Sequence, residues 1–406
     1  MEIIKRIISF FIFFFIGIYF ISATELDLYS ERYILYNMND NRVIDELKSH
    51  EEVSMASLTK IMTVILAIEN ETNYDKKVII KSEMIDDIAW DVAIAGFKAG
   101  EVLTYDDLLY GAMLPSGADA VQALAHIVSG NRKDFVKLMN DKVKELGLKN
   151  TRFENVVGLY SKDNYSSAYD MAQILIYALK NEKFKEVFTT REYTFSNGKK
   201  TMSTISHYNK NSNIDVSFIT GSKTGYISDA GYCLASTATL NGVDYLLVTL
   251  NAFDDVSAPH IKDANKAYTY YDKNYKYMNI VSKDDVIVKL KTIYAKEEEI
   301  SIPAQYESEY YLKKSFDKKD LVYEYDGLNV VSYFTPKGTL LGNVKIKYND
   351  EVLDEFELYY NEVLSFSLLS FLWINKLYVV IGIVVLFFLL FVIGACVKRK
   401  RRKRKK

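Results

Sequence analysis

Between Leu377 and Val397 the chain carries no charged residue, and the nine residues that follow, Lys398 to Lys406, are all basic. A helix of about 20 apolar residues spans the hydrocarbon core of a bilayer. Lysine and arginine beside such a span stay on the cytoplasmic side. The pattern predicts a transmembrane helix at 377–397 and a cytoplasmic tail at 398–406, so everything from residue 24 to about 370 must fold on the other side. The first 23 residues agree with that topology. Lys5 and Arg6 precede an apolar run from Ile7 to Ile21, and Ser22-Ala23 closes it, which is the layout of a secretory signal peptide with cleavage expected after Ala23.

Once the two ends are set aside, the formal net charge of −2 changes meaning. Residues 7–397 hold 40 basic and 52 acidic side chains, a net of about −12, which argues against nucleic acid or another polyanion as the main ligand. Of the two cysteines, Cys396 belongs to the apolar C-terminal stretch, so Cys233 stands alone in the outer part and no internal disulfide is expected there. The four histidines, at 50, 126, 207 and 260, show no metal-ligand spacing. Neither metal nor cofactor is expected.

The outer part is read as α+β. Arg32 to Asn37 and Arg42 to Ile44 form two short strands around Asn39-Asp40-Asn41. A helical block follows up to about Phe188, with periodic stretches at Tyr105–Met113, Asp119–Ile127 and Ala168–Leu179. From Val216 the chain turns β-prone, and Asn241-Gly242 marks a two-residue hairpin. Asn265 to Tyr277 reads as a helix. Strands, helices and strands again predict one domain, 24–278, with a helical insertion. Val-, Ile-, Tyr- and Lys-rich segments with turn signals predict a small β-rich domain at 282–362.

Ser57 and Lys60 lie three positions apart, just ahead of Ile61, Met62, Val64, Ile65, Leu66 and Ile68. This apolar density fits a buried helix with Ser54 or Ser57 near its N-terminus. Positions i and i+3 share a helix face, so the amine can reach the hydroxyl, and the helix start favours developing negative charge. A nucleophile, a nitrogen base and an anion site in one turn are the parts of acyl transfer. Two further stretches join them: Pro115-Ser116-Gly117-Ala118-Asp119 in a turn between helical patterns, and Gly221-Ser222-Lys223-Thr224-Gly225-Tyr226 opening the strongest strand region. Ser-x-x-Lys, Ser-Gly-x and Lys-Thr-Gly in this order form the signature of penicillin-binding proteins and class A β-lactamases.

The chain resembles the serine-type D-alanyl-D-alanine carboxypeptidases, the low-molecular-weight penicillin-binding proteins of the peptidase S11 family. Met55 to Thr63 resembles the family's nucleophile segment. Phe153 to Leu159 and Ser167 to Ala172 are similar to its F-x-N-x-x-G-L and S-T-A-Y-D-L-A blocks, and Ala230 to Leu234 to the strand after Lys-Thr-Gly. The resemblance covers roughly residues 28–275. It implies a penicillin-binding-protein/β-lactamase-like transpeptidase fold, an antiparallel sheet flanked by helices with a helical subdomain, followed by the β-rich domain as a spacer from the membrane.

It implies roles as well. Ser57 would be the nucleophile, Lys60 its base and Ser116 a third catalytic residue. Lys223 and Thr224 would hold the terminal carboxylate of a peptidoglycan stem peptide, and Gly225 would let that peptide lie along the strand. The backbone N–H groups of Ser57 and Tyr226 would form the oxyanion hole. β-Lactams are the implied inhibitors, acylating the same serine. The sequence departs from the family at two places: Ala118 stands where an asparagine is usual, and Asn164 where relatives often carry histidine. Ala118 motivates the alternative of a catalytically degenerate muropeptide- or β-lactam-binding ectodomain. A β-lactamase is disfavoured because no E-x-x-L-N segment occurs in the middle third to supply a deacylating glutamate.

Overall fold

The computed structural model describes residues 26–211, 214–253 and 256–403. The signal segment expected at 1–23 lies outside them. The chain divides into two compact units, Met1–Lys273 and Asn274–Lys406.

The first unit opens with β1 (Ser30–Asn37) and β2 (Arg42–Leu47), followed by α1 (Thr59–Glu69). The short hairpin β3 (Lys77–Ile79) and β4 (Val102–Thr104) leads into α2 (Tyr105–Met113), α3 (Ala118–Ser129), α4 (Arg132–Glu145), α5 (Ala168–Leu179) and α6 (Glu182–Thr189). A second small hairpin, β5 (Glu192–Thr194) and β6 (Lys200–Met202), precedes α7 (Thr204–Asn211). Then come β7 (Ile219–Ile227), β8 (Gly231–Leu240), β9 (Val243–Ala252) and α8 (Pro259–Asn274).

The main sheet has the order β2-β1-β9-β8-β7, with every neighbouring pair antiparallel. The first strands therefore close onto the last, and the helices between β2 and β7 form the insertion. β7 is left as an edge strand. The Asn241-Gly242 turn joins β8 to β9 with φ of 48° and 83°, as a tight hairpin with both central residues left-handed requires.

Local chemistry fixes the helix starts. Thr104 and Asp107 form a capping box on α2, and Asn131, Ser167 and Asn181 cap α4, α5 and α6 by accepting N–H bonds. α1 is buried along its length from Thr59 to Ile68 and sits in one apolar core with α2, α3, α5 and the inner face of the sheet. A helix buried on all sides cannot shift without opening that core, so it is a rigid base for the residues at its start.

Ser57 stands near the start of α1, as expected, in a 3₁₀ turn at Ala56–Leu58, and the N-cap Leu58 makes no side-chain cap bond. Two local expectations change. β7 starts at Ile219 and not at Val216, whose carbonyl instead accepts from the Arg191 guanidinium. The helix expected up to Tyr277 ends at Asn274, because the alternating segment Tyr275–Val281 pairs with Ser308–Lys313 as the opening strand of the second unit.

That second unit is rich in strands. Glu299–Pro303, Val286–Ile293 and Val330–Ser332 form one small sheet, and Val322–Gly327, Thr339–Tyr348 and Glu351–Tyr360 another. Two small apolar clusters support them, one around Leu290, Val344 and Leu358, the other around Ile280, Val281 and Ile346. The unit also carries helix Lys376–Lys403, whose stretch Lys376–Lys400 is among the described residues the one segment long and apolar enough to cross a membrane.

Candidate active site

Ser57 lies in the 3₁₀ turn that leads into α1, and the path of that turn is unusual. Ala56 has φ +47°, a left-handed conformation that side chains other than Gly, Asn and Asp seldom adopt. Its carbonyl is packed against Gly158, where an added Cβ would lie 1.9 Å from Ala56 O. Gly158 itself has φ +91°. Asn155 holds this glycine loop, its Oδ1 accepting from the N–H groups of Val157, Gly158 and Leu159 at 3.2, 2.7 and 3.0 Å. Asn164, the departure noted above, braces the same loop: its Nδ2 donates to Leu159 O at 3.1 Å and its Oδ1 accepts from Glu154 N at 3.2 Å. Thr63 ties α1 to the loop through Val156 O at 2.9 Å. The F-x-N-x-x-G-L block is thus a cradle for the serine turn.

Lys60 is completely buried. Its Nζ lies 3.1 Å from Ser57 Oγ, 2.6 Å from Ser116 O and 3.0 Å from Ser116 Oγ. Burial lowers its pKa from 10.5 to about 7, against an opposing pull from the Asp119 charge. An ammonium has three donors for these three acceptors, whereas a neutral amine has two and a lone pair. Because Ser116 O can only accept, the lone pair of a neutral Lys60 must face a hydroxyl. The geometry lets Ser57 be the one that donates into it.

Lys223, on edge strand β7, is also fully buried. Its Nζ donates to Ser116 Oγ at 2.8 Å and to Thr224 O at 2.8 Å. Burial, and then repulsion from Lys60, holds its pKa well below the ordinary lysine value. Ser116 therefore bridges the two amines. It does so with φ +64°, in a turn fixed from behind by Asp119, whose carboxylate accepts from the N–H groups of Ala95, Gly96 and Phe97, each at 2.8 Å.

Ala118 is buried at the start of α3, and its N–H donates to Ala93 O at 2.8 Å. The lysine network closes through Ser116 without a side chain from position 118. The Ser167–Ala172 block is likewise structural: Asp170 accepts from Asn150 N and Thr151 Oγ1, both at 2.8 Å, at the start of α5.

Gly225 brings β7 against the serine turn, since a Cβ there would sit 2.9 Å from Ser57 N. Beside it, the hydroxyls of Thr224 and Thr204 are 2.7 Å apart. These residues open onto a cleft of about 530 Å³, lined among others by Ser57, Ser116, Thr224, Gly225 and Tyr226. All seven residues singled out from the sequence thus gather here, the two lysines beneath its floor.

The sequence reading missed Thr204 on α7, Asp91 in the segment before α2, and Tyr208 and His260, which also line the cleft. Tyr232 stacks on His260 at 5.0 Å, and Tyr226 packs on Tyr232 at 4.5 Å. No local pattern marks these residues. Only the β7–β8 register, which pairs Tyr226 with Tyr232, brings the rings together.

Residues 20–254, more than half the chain, match the family model described as Peptidase S11, D-alanyl-D-alanine carboxypeptidase. Over 343 residues the chain is 31% identical to D-alanyl-D-alanine carboxypeptidase DacF of Bacillus subtilis, covering 82% of this chain and 85% of that protein. It is 37% identical over 231 residues to a D-alanyl-D-alanine carboxypeptidase of a Streptomyces species, covering 53% and 78%. Among solved structures, penicillin binding protein 6B from Escherichia coli superposes with a TM-score of 0.63 at 22% identity, covering 84% of this chain and 98% of that one. A Streptomyces DD-transpeptidase superposes with a TM-score of 0.55 at 28% identity, covering 61% and 98%. The first of these structures is evidence for the fold, and the family rests on the sequence matches. The chain belongs to the peptidase S11 family of serine D-alanyl-D-alanine carboxypeptidases, with the fold of the low-molecular-weight penicillin-binding proteins.

Proposed function

We propose that this protein removes the terminal D-alanine from peptidoglycan stem peptides through an acyl-enzyme on Ser57, and that β-lactams inhibit it by acylating the same serine. The observation that carries this reading is the Lys60 amine, fully buried, lowered to about 7 and 3.1 Å from Ser57 Oγ. A neutral amine at that distance takes the hydroxyl proton as Ser57 attacks the carbonyl of the penultimate D-alanine. The N–H groups of Ser57 and Tyr226 receive the oxyanion. Lys223 and Thr224 hold the substrate's terminal carboxylate, and Gly225 lets the peptide add as a strand to the free edge of β7. The proton then passes from Lys60, with the Ser116 hydroxyl beside it, to the departing D-alanine nitrogen, and water hydrolyses the ester.

The chain acts outside the cytoplasm. The signal segment at 1–23 directs export, helix 377–397 anchors the protein by a single pass, tail 398–406 stays cytoplasmic, and domain 282–362 spaces the catalytic domain from the bilayer. The test uses the full chain in detergent micelles, treated with a β-lactam and followed by intact-protein mass spectrometry, alongside D-alanine release from a muropeptide pentapeptide. An adduct absent in Ser57→Ala, together with D-alanine release by the unaltered protein, is the expected result. A folded protein that binds muropeptide equally well before and after Ser57→Ala, with neither adduct nor release, would make it a degenerate binder.

A further inference from the structure

Leu364 sits in the apolar core of the strand-rich unit, and the long apolar helix begins at Lys376. The chain between them is no loose tether. Lys296 N donates to Ser365 O at 2.8 Å, Ser367 N to Tyr294 O at 3.0 Å, and Ser365 N to the Glu297 carboxylate at 3.0 Å. These bonds flank a β-bridge between Ala295 and Phe366. Ser367 then caps a short helix, Leu368–Ile374, that leads to Lys376. The segment that approaches the apolar helix is thus stitched to the residues just after strand Val286–Ile293.

Aromatic rings gather around this exit. Tyr294 packs on Phe371 at 5.2 Å and on Phe334 at 5.9 Å, and Tyr333 packs on Phe366 at 5.2 Å. Tyr333 and Phe334 come from a turn held by polar groups. Tyr333 N donates to Ile293 O at 3.0 Å, Phe334 N to Ser332 Oγ at 3.0 Å, and Ser332 N to Thr335 Oγ1 at 2.9 Å. Yet Phe334 keeps 60% of its surface exposed, and Leu369 and Trp373 keep 82% and 74%. Apolar side chains fixed in place and left open mark a surface that binds something. Continuity with the apolar helix says what. Along a helix the rise from Phe371 to Leu377 is about 9 Å, comparable with the headgroup layer on one side of a bilayer. Tyrosine and tryptophan favour that layer, because each joins an apolar ring to a polar edge. Lys376 Nζ lies 5.1 Å from the Trp373 ring, the pairing expected of a lysine that reaches from a span toward the headgroups.

We propose that the strand-rich domain is seated on the bilayer, with the turn Tyr333-Phe334, Phe366 and helix Leu368–Ile374 entering the headgroup layer of the outer leaflet. The partner is the phospholipid surface itself. Tyr294 and the backbone bonds at Ser365 and Ser367 hold the inserted turn and the chain's point of entry as one piece, so the domain cannot swing about its exit. It is a fixed base at the membrane, and the spacing it provides is measured from that contact. This inference rests on the reading that 377–397 spans the bilayer with the domain outside.

The test uses the full chain in phosphatidylcholine vesicles and tryptophan fluorescence. Trp90→Phe and Trp373→Phe together remove both native tryptophans. Into that background go, one at a time, Phe334→Trp at the turn, Val385→Trp within the span, and Val322→Trp. Val322 is 56% exposed and stands at the opposite end of its strand from Gly327, whose partner Gly342 lies just past the turn at 336–338. Each protein is quenched from the lipid side by brominated acyl chains and from the water side by iodide. The Phe334→Trp protein should lose fluorescence to bromine placed near the headgroup and keep it against iodide. The Val385→Trp protein should lose most to bromine near the chain end, and the Val322→Trp protein only to iodide. Equal iodide quenching at positions 334 and 322, with no effect of bromine at 334, overturns the inference and leaves the span standing. Protection of position 334 from both quenchers overturns it too, because a protein surface, such as a second copy of the chain, then covers the turn. Loss of bromine quenching at position 385 as well would sink the membrane-spanning reading, and the inference with it.

Discussion

Replacing Lys60 with methionine should abolish acylation and, in acidic buffer, stabilise the fold. The side chain is fully buried and its amine is lowered from 10.5 to about 7 by that burial. In the unfolded chain the same amine titrates near its ordinary value, so between these two pH values the unfolded state binds more protons and stability rises with pH. The ionised lysine therefore destabilises the native state by about 5 kcal/mol below pH 7, a penalty that shrinks to about 1 kcal/mol at pH 10.

Methionine removes the ionisation, but it also leaves Ser116 O and Ser57 Oγ without the Lys60 donor. That loss costs about 1–3 kcal/mol, independent of pH. The diagnostic is thus the slope and not the absolute stability. Lys60→Met should gain about 4 kcal/mol on the native protein in going from pH 10 to pH 6. Relief of Lys223, whose own pKa is held down partly by Lys60, acts in the same direction. Denaturant unfolding of the full chain in micelles, followed by near-ultraviolet circular dichroism at several pH values, measures it. Parallel stability–pH curves for the two proteins would show that Lys60 is not held near neutrality, and the base role would lose its physical ground.

Four further outcomes follow from the same geometry. The rate of β-lactam acylation should rise with pH through about 7 as the Lys60–Lys223 pair loses its first proton and fall again when it loses its second. The two midpoints belong to the pair and not to either residue, and stopped-flow acylation with a chromogenic cephalosporin reads both. Gly158→Ala should cost about 3 kcal/mol or more and slow acylation, because its Cβ would meet Ala56 O at 1.9 Å with φ at +91°; an unchanged melting curve refutes the cradle. Asp119→Ala frees the N–H groups of Ala95, Gly96 and Phe97, so it should cost about 2–4 kcal/mol and slow acylation without altering the mass of the adduct formed. Ala118→Asn should destabilise by about 1–3 kcal/mol, since the amide enters a buried site already bonded to Ala93. A tenfold fall in KM for that variant would show instead that the amide reaches the cleft.

The sequence carried the chemistry better than the path of the backbone. Ser57 and Lys60 were legible because a three-residue spacing leading into a buried helix is a local property, and Lys223 because Lys-Thr-Gly follows the other two motifs in order. The serine turn was not legible. The chain enters α1 through a 3₁₀ turn with Ala56 left-handed, and its carbonyl packs on Gly158, about a hundred residues away, where no side chain would fit. Thr204, Tyr208 and His260 were missed for the same reason: each reaches the cleft from an element whose own periodicity says only that it is a helix. The insertion of a helical block between strands was readable from composition, yet the closure of β1 onto β9 was not. Pairing partners so far apart in the chain leave no mark on either segment.

The blocks that make this chain look like its family also divide by what they touch. Asn155 and Gly158 make hydrogen bonds or close contacts with backbone, and Asp170 accepts from Asn150 N and the Thr151 hydroxyl, so these three shape the site without entering its lysine network. Ser57, Lys60, Ser116 and Lys223 make one connected set, in which two buried amines share neutral oxygens and repel each other. Such a set is unfavourable for folding, and the rigid cradle around it is what keeps it from relaxing. On the proposed mechanism, a substrate carboxylate entering beside Lys223 would favour that lysine as the one that keeps the proton and leave Lys60 neutral. Recognition of a C-terminal peptide and activation of the serine would then be one electrostatic event, in which position 118 has no part.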